Sequence, residues 1–155
     1  MKVKFTNLYK LIHDKKKIFI KIQGLIKKSK FVGGYEVENF ERTFAKYTGS
    51  KYAVSLANGT DALEIAISSL KLKKGSEVIV PVNTWISTAE AVINNNYKLV
   101  FCDINLDDYT IDLDDLKKKI TKKTKAIILV HLYGNPANLS GIRNIVKKKN
   151  IKIIE

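Results

Sequence analysis

Cysteine is almost missing from this sequence. The single Cys102 excludes an internal disulfide and leaves no thiolate cluster that could bind zinc. No apolar stretch approaches the roughly 18 residues that span a bilayer. The opening Met1-Lys2-Val3-Lys4 never develops the apolar core and cleavage site of a secretory signal. These absences together point to a cytoplasmic protein. Two phosphate-binding signatures are also missing, the P-loop G-x-x-x-x-G-K-S/T and the dinucleotide fingerprint G-x-G-x-x-G. Arginine is scarce, since Arg42 and Arg143 are the only arginines among 28 basic residues.

What is there is 155 residues, 45% of them apolar, which is enough for one hydrophobic core and too apolar for global disorder. The net charge of +13 would by itself suggest a nucleic-acid partner. Its distribution weakens that reading. Residues 1–35 carry ten lysines against Asp14 alone, whereas the other 120 residues carry 18 basic and 14 acidic groups. Lysine, isoleucine and asparagine are abundant together, as an AT-rich coding sequence would supply. The excess is a lysine-rich arm, and neither a nucleic-acid nor a membrane partner is expected; DNA or an anionic membrane surface is a lower-ranked reading of that arm.

Within the arm, Ile18, Ile22, Leu25 and Ile26 fall on one helical face, with lysines on the others. This reads as an amphipathic helix docked on a core or on a partner subunit. From Gly33 onward the pattern becomes regular. Val37, Phe40, Phe44 and Tyr47 mark a helix ended by Gly49. Tyr52–Ala57 reads as a short buried strand and Asn58-Gly59 as a turn. Ala62 to Leu70 is the next helical stripe. Strands follow at Val78–Val80, Leu99–Ile104, Ala126–Val130 and Ile151–Ile154. Between them lie helices at Ile86–Ile93, at Leu113 to about Ile120 behind an Asp112 cap, and at Leu139–Lys147. Strands apolar on both faces, alternating with helices, predict an α/β fold. Its mostly parallel sheet has helices on both faces and its ligands at the C-terminal ends of the strands.

Three strand-to-helix turns could carry chemistry. In Ser55–Leu63 a helix opens at Gly59-Thr60, where free N–H groups and the helix dipole suit an anion. Thr60 and Asp61 acting only as caps explains the spacing equally well. The turn Pro81–Thr88 holds Trp85, which could stack on a planar ring or lie in the core. His131-Leu132-Tyr133-Gly134 follows a buried strand, and His131 reads first as a hydrogen-bonded structural residue. Asp103 reads as a turn or capping carboxylate. Cys102 reads as a small buried hydrophobe.

Several segments occur here in a recognisable order. They are Phe31-Val32-Gly33-Gly34, Glu38-Asn39-Phe40-Glu41, Asn58-Gly59-Thr60-Asp61-Ala62-Leu63, Glu77–Pro81 with Asn83-Thr84-Trp85, Thr124–Ile127, and Val130-His131-Leu132-Tyr133-Gly134. From near Phe5 to Glu155 the sequence resembles the DegT/DnrJ/EryC1/StrS sugar aminotransferases, which are pyridoxal-phosphate enzymes of fold type I. The resemblance implies that Gly59, Thr60 and Asp61 hold the cofactor phosphate. It also implies that Trp85 stacks on the pyridine ring, and that His131 and Tyr133 lie near the site without an assigned role.

The resemblance further implies a reaction: an amino group passes from glutamate to a nucleotide-linked keto-sugar, in aminosugar or surface-polysaccharide synthesis, by a homodimer. The family's members are about twice this length or more. Residues 36–155 correspond to the first part of the cofactor-binding large domain. The aspartate that pairs with the pyridine nitrogen and the lysine that forms the Schiff base are expected beyond Glu155. The 155 residues alone are therefore expected to be a fragment without turnover. A non-catalytic phosphate-ligand binding module and a regulatory family member are the alternatives.

Overall fold

The computed structural model describes residues 7–155. The opening lysines and Phe5 lie outside the described residues. The chain separates into two compact units, one ending at Ser55 and one running from Leu56 to Glu155.

The first unit contains helices α1 (Leu8–Leu11), α2 (Lys15–Lys27) and α3 (Tyr35–Thr48). The apolar stripe does form a helix, α2, but none of its residues is buried, and Ile18, Ile22 and Ile26 stay exposed. In α3, Phe40 stacks on Phe44 at 5.6 Å between ring centres. Gly49 ends that helix at φ 69°, the left-handed C-cap that glycine adopts without strain. Tyr52–Ala57 is not a strand. It joins no strand among the described residues, the Ser55 N–H donating instead to the Glu41 carboxylate, and Tyr52 and Val54 are exposed. β-branched and aromatic residues favour a strand only where a neighbouring strand offers a ladder and cover, and this segment has neither.

The second unit is a four-stranded sheet with β1 (Glu77–Pro81), β2 (Lys98–Cys102), β3 (Thr124–Ile128) and β4 (Lys152–Ile154). Its order is β2-β1-β3-β4 and every pairing is parallel. The pleat sends alternate residues of β1 to opposite faces. Val78 and Val80 join Ala126 and Ile128 against Ile67, Ala91 and Val92, which belong to α4 (Gly59–Ser69) and α5 (Ile86–Asn94). Ile79 and Ile127 face the other way, onto Leu116, Ile142 and Val146 of α6 (Leu113–Lys119) and α7 (Leu139–Val146). Helices thus cover both faces, as the unbroken apolar strands require.

Strand limits shift by a residue or two from the sequence reading. Ile104 leaves the ladder and makes a lone bridge to Ile111 instead. Asp112 caps α6 as expected, accepting the N–H of Asp115.

Strand order fixes where a ligand can enter. From β1 the chain moves outward to β2, then crosses to β3 and on to β4. The direction reverses between β1 and β3, and such a switch point opens a crevice at the C-terminal ends of those two strands.

Candidate functional site

Ile79 of β1 lies opposite Ile127 of β3. Trp85 and Tyr133 each follow that pair by six residues, in the segments that leave the C-terminal ends of β1 and β3. Neither is in the core. Trp85 is 77% exposed and Tyr133 88% exposed. The core reading of the tryptophan therefore fails, because the chain leaves β1 at Pro81 and places Trp85 as the N-cap residue of α5, outside the layer between sheet and helix.

The start of α4 is brought to the same place by one contact. Thr60 Oγ1 lies 2.8 Å from Ser87 Oγ, in the first turn of α5. Ser87 is buried. If Ser87 donates, the Thr60 hydroxyl hydrogen is left free for another acceptor. The cap of α4 is not made by Thr60 or Asp61 but by Asn58, whose Oδ1 accepts the Asp61 N–H at 2.9 Å while its Nδ2 donates to the Asp61 carboxylate at 3.1 Å. The Ala62 N–H goes to the Asn58 carbonyl. The N–H groups of Gly59 and Thr60 have no acceptor among the described residues. A Cβ added at Gly59 would meet nothing within 4 Å. The fold therefore has no steric need for glycine there, and the space above it is open to a ligand.

On the β3 side, His131 Nδ1 accepts the Ala137 N–H at 3.0 Å. Its Nε2 stands 3.5 Å from Glu155 Oε2, and Arg143 reaches the other oxygen of Glu155 at 4.0 Å. The hydrogen-bonded structural reading of His131 agrees with this. Asp103 serves a turn, its carboxylate accepting the Ile104 N–H. Cys102 is fully buried, and desolvation first, then the charge of Asp115, pushes its thiol up to about 12. It is no nucleophile.

Gly59, Thr60 and Asp61 are thus gathered with Trp85 through Ser87, and His131 with Tyr133 occupies the adjoining strand end. The sequence reading missed Asn58 as the cap, having taken Asn58-Gly59 only as a turn. It also missed Ser87, whose sole signal was a small polar residue in the first turn of a helix. Glu155 and Arg143 gave no local signal. No group of three or more metal-ligating side chains occurs among the described residues, and no helix among them is long and apolar enough to cross a membrane.

Residues 13–155 match the model of the DegT/DnrJ/EryC1/StrS aminotransferase family. The chain is 43% identical over 125 residues to the dTDP-3-amino-3,6-dideoxy-alpha-D-galactopyranose transaminase of Aneurinibacillus thermoaerophilus, covering 81% of this chain and 34% of that one. It is 41% identical over 141 residues to the UDP-2-acetamido-2-deoxy-3-oxo-D-glucuronate aminotransferase of Pseudomonas aeruginosa, covering 91% and 39%. Among solved structures, NtdA from Bacillus subtilis with bound PMP superposes with a TM-score of 0.91 at 32% identity, over 98% of this chain and 35% of that one. The Escherichia coli GDP-4-keto-6-deoxy-D-mannose-3-dehydratase with bound hydrated PLP gives 0.86 at 34% identity, over 92% and 38%. The chain spans about a third of the length of the curated relatives it matches. It belongs to the DegT/DnrJ/EryC1/StrS aminotransferase family.

Proposed function

We propose that residues 36–155 form the first part of the cofactor-binding large domain of a sugar aminotransferase, with residues 1–35 as a basic arm. The whole protein would move an amino group from glutamate to a nucleotide-linked keto-sugar. The observation that carries this reading is the Thr60–Ser87 hydroxyl contact, which sets an open helix N-terminus beside the exposed indole of Trp85.

The residues present suit pyridoxal phosphate. The N–H groups of Gly59 and Thr60, without an acceptor among the described residues and at the positive end of α4, suit the phosphate, and the Thr60 hydroxyl adds a donor when Ser87 donates to it. Asp61 belongs to the cup through its place in the turn, its carboxylate held by Asn58. Trp85 offers a flat face to the pyridine ring. When bound, that cofactor supplies an electron sink for moving an amino group. These residues bind and orient. The lysine and aspartate that the family uses for the chemistry correspond to no residue of this sequence, so the 155 residues by themselves are expected to bind without turnover.

The relatives' substrates support a nucleotide-linked sugar as the acceptor. A cytoplasmic setting rests on those relatives and on the single buried thiol of Cys102. A homodimer rests on the uncovered apolar residues of α2. Deleting residues 1–30 from a full-length relative should then shift its sedimentation to a monomer.

Because Trp85 is the only tryptophan, its emission reports directly on the site. The probe is pyridoxamine 5′-phosphate, which has no aldehyde and so forms no adduct with the many lysines. Saturable quenching that is competed by inorganic phosphate and weakened at least tenfold by Thr60→Ala is expected. No saturable change would overturn the reading.

A further inference from the structure

Tyr133 sits at φ 54° and ψ 21°, in the left-handed region that a tyrosine adopts only at a cost. The turn around it is over-determined. The Gly134 N–H donates to the His131 carbonyl, and the Asn135 N–H to that of Leu132. Ala137 N–H ties His131 Nδ1, and Asn135 Nδ2 donates to the Asp108 carbonyl at 3.0 Å, linking this turn to the one that follows β2. Four hydrogen bonds thus hold a strained residue whose ring packs on little and whose hydroxyl has no partner among the described residues. A glycine at 133 would satisfy the backbone better, and the fold makes no visible use of the ring.

The ring does have a consistent place. It follows the C-terminal end of β3, the strand paired parallel with β1, and Trp85 follows the same end of β1. If Trp85 covers the pyridine ring, the group reacting with that ring must lie beside it, and in amino transfer to a sugar that group is the pyranose, not its nucleotide. An aromatic face with a free phenol suits a pyranose, stacking on its C–H face and hydrogen bonding to a ring hydroxyl.

We infer that Tyr133 is a substrate-binding residue, held in a strained turn so that its ring takes the hexose of a nucleotide-linked sugar across the β1/β3 crevice from Trp85. This rests on the aminotransferase reading above, and Tyr133 is assigned no step in the chemistry.

The test uses the 155-residue chain with Tyr133→Gly and Tyr133→Phe. The probes are pyridoxamine 5′-phosphate, the free nucleotides dTDP, GDP and UDP, and their glucose conjugates, with Trp85 emission or calorimetry as readout. At least one conjugate should bind wild type more tightly than its own nucleotide does. Tyr133→Gly should weaken that conjugate about tenfold, the worth of one stacked aromatic, while leaving pyridoxamine phosphate and the free nucleotide unchanged. Tyr133→Phe should lose only part of the affinity.

Tyr133→Gly should also hold or raise the melting temperature, because glycine accepts the left-handed backbone. A merely structural tyrosine would lower the melting temperature and leave the conjugate's advantage intact. Either that pattern, or a wild type that binds no conjugate better than its nucleotide, overturns the inference. Failure of pyridoxamine phosphate to bind, with the conjugate effect preserved, would instead overturn the cofactor assignment.

Discussion

The backbone N–H of Ala137 donates to Nδ1 of His131 across 3.0 Å. That one contact fixes the imidazole. Nδ1 is an acceptor, so the neutral ring carries its proton on Nε2, the atom that faces Glu155. A doubly protonated ring has no acceptor left, so a charged His131 and the Ala137 bond exclude each other. The histidine works here as a strut between the turn after β3 and the approach to α7.

His131→Ala should therefore leave the N–H of buried Ala137 unpaired, at a cost of about 1–3 kcal/mol. His131→Asn places an amide oxygen close to the position of Nδ1 and should recover a large part of that loss. Urea unfolding of the two variants separates the cases. Equal losses would mean that ring packing matters and the acceptor does not.

Glu77 is the other polar group on which the sheet depends. It is buried at the start of β1, where Thr121 Oγ1 donates to it at 2.5 Å and Lys98 Nζ at 3.0 Å. The Thr121 hydroxyl first, and Lys98 next, hold its carboxyl below the ordinary 4.5. A carboxylate whose folded pKa is depressed stabilises the fold above its unfolded pKa and loses that contribution as pH falls through the folded value. Glu77→Gln should therefore lower stability at pH 7 by about 1–3 kcal/mol, with the gap to wild type closing as the pH drops below 4.5. Denaturation midpoints at neutral and acid pH test this, and a gap independent of pH would contradict it.

These two residues show what was and was not legible. The alternation of apolar strands with helical stripes is a local, periodic signal, and it placed all four strands of the sheet and their intervening helices within a few residues. Tyr52–Ala57 carried the same apolar signal, yet pairing depends on a neighbour, which no local pattern specifies. The helix terminus at Gly59 was legible because Asn58, Gly59 and the Thr60 hydroxyl stand together just before an apolar helical stripe. Its partner Ser87 lies 27 residues away, and Glu155 is brought to His131 only by the β3–β4 pairing. Contacts between distant residues follow from topology, and a linear reading cannot see them.

Cys102 gives a prediction of silence. The side chain is fully buried, and its thiol, pushed up to about 12, stays protonated throughout the physiological range. At pH 8 the native chain should react with Ellman's reagent only at the rate of its opening, orders of magnitude slower than in 6–8 M urea, conditions on the order of those that expose all core residues. Prompt stoichiometric reaction of the folded chain would show that the β2–α6 region opens far more readily than its packing implies.

Gly59→Ala separates binding from folding at the proposed cup. Gly59 is the first residue of α4, its φ lies outside the left-handed region, and a Cβ there meets nothing within 4 Å. Alanine also restricts the unfolded chain, so the substitution should leave stability unchanged or raise it by up to about 1 kcal/mol. The new methyl would nonetheless stand in the space above the free N–H groups, where a phosphate must approach to hydrogen-bond distance. Affinity for pyridoxamine phosphate should fall at least tenfold, read from Trp85 emission, while the urea midpoint holds. Only a site that uses the emptiness of glycine predicts loss of ligand without loss of fold. Retained affinity in a stable variant would mean that the phosphate binds elsewhere.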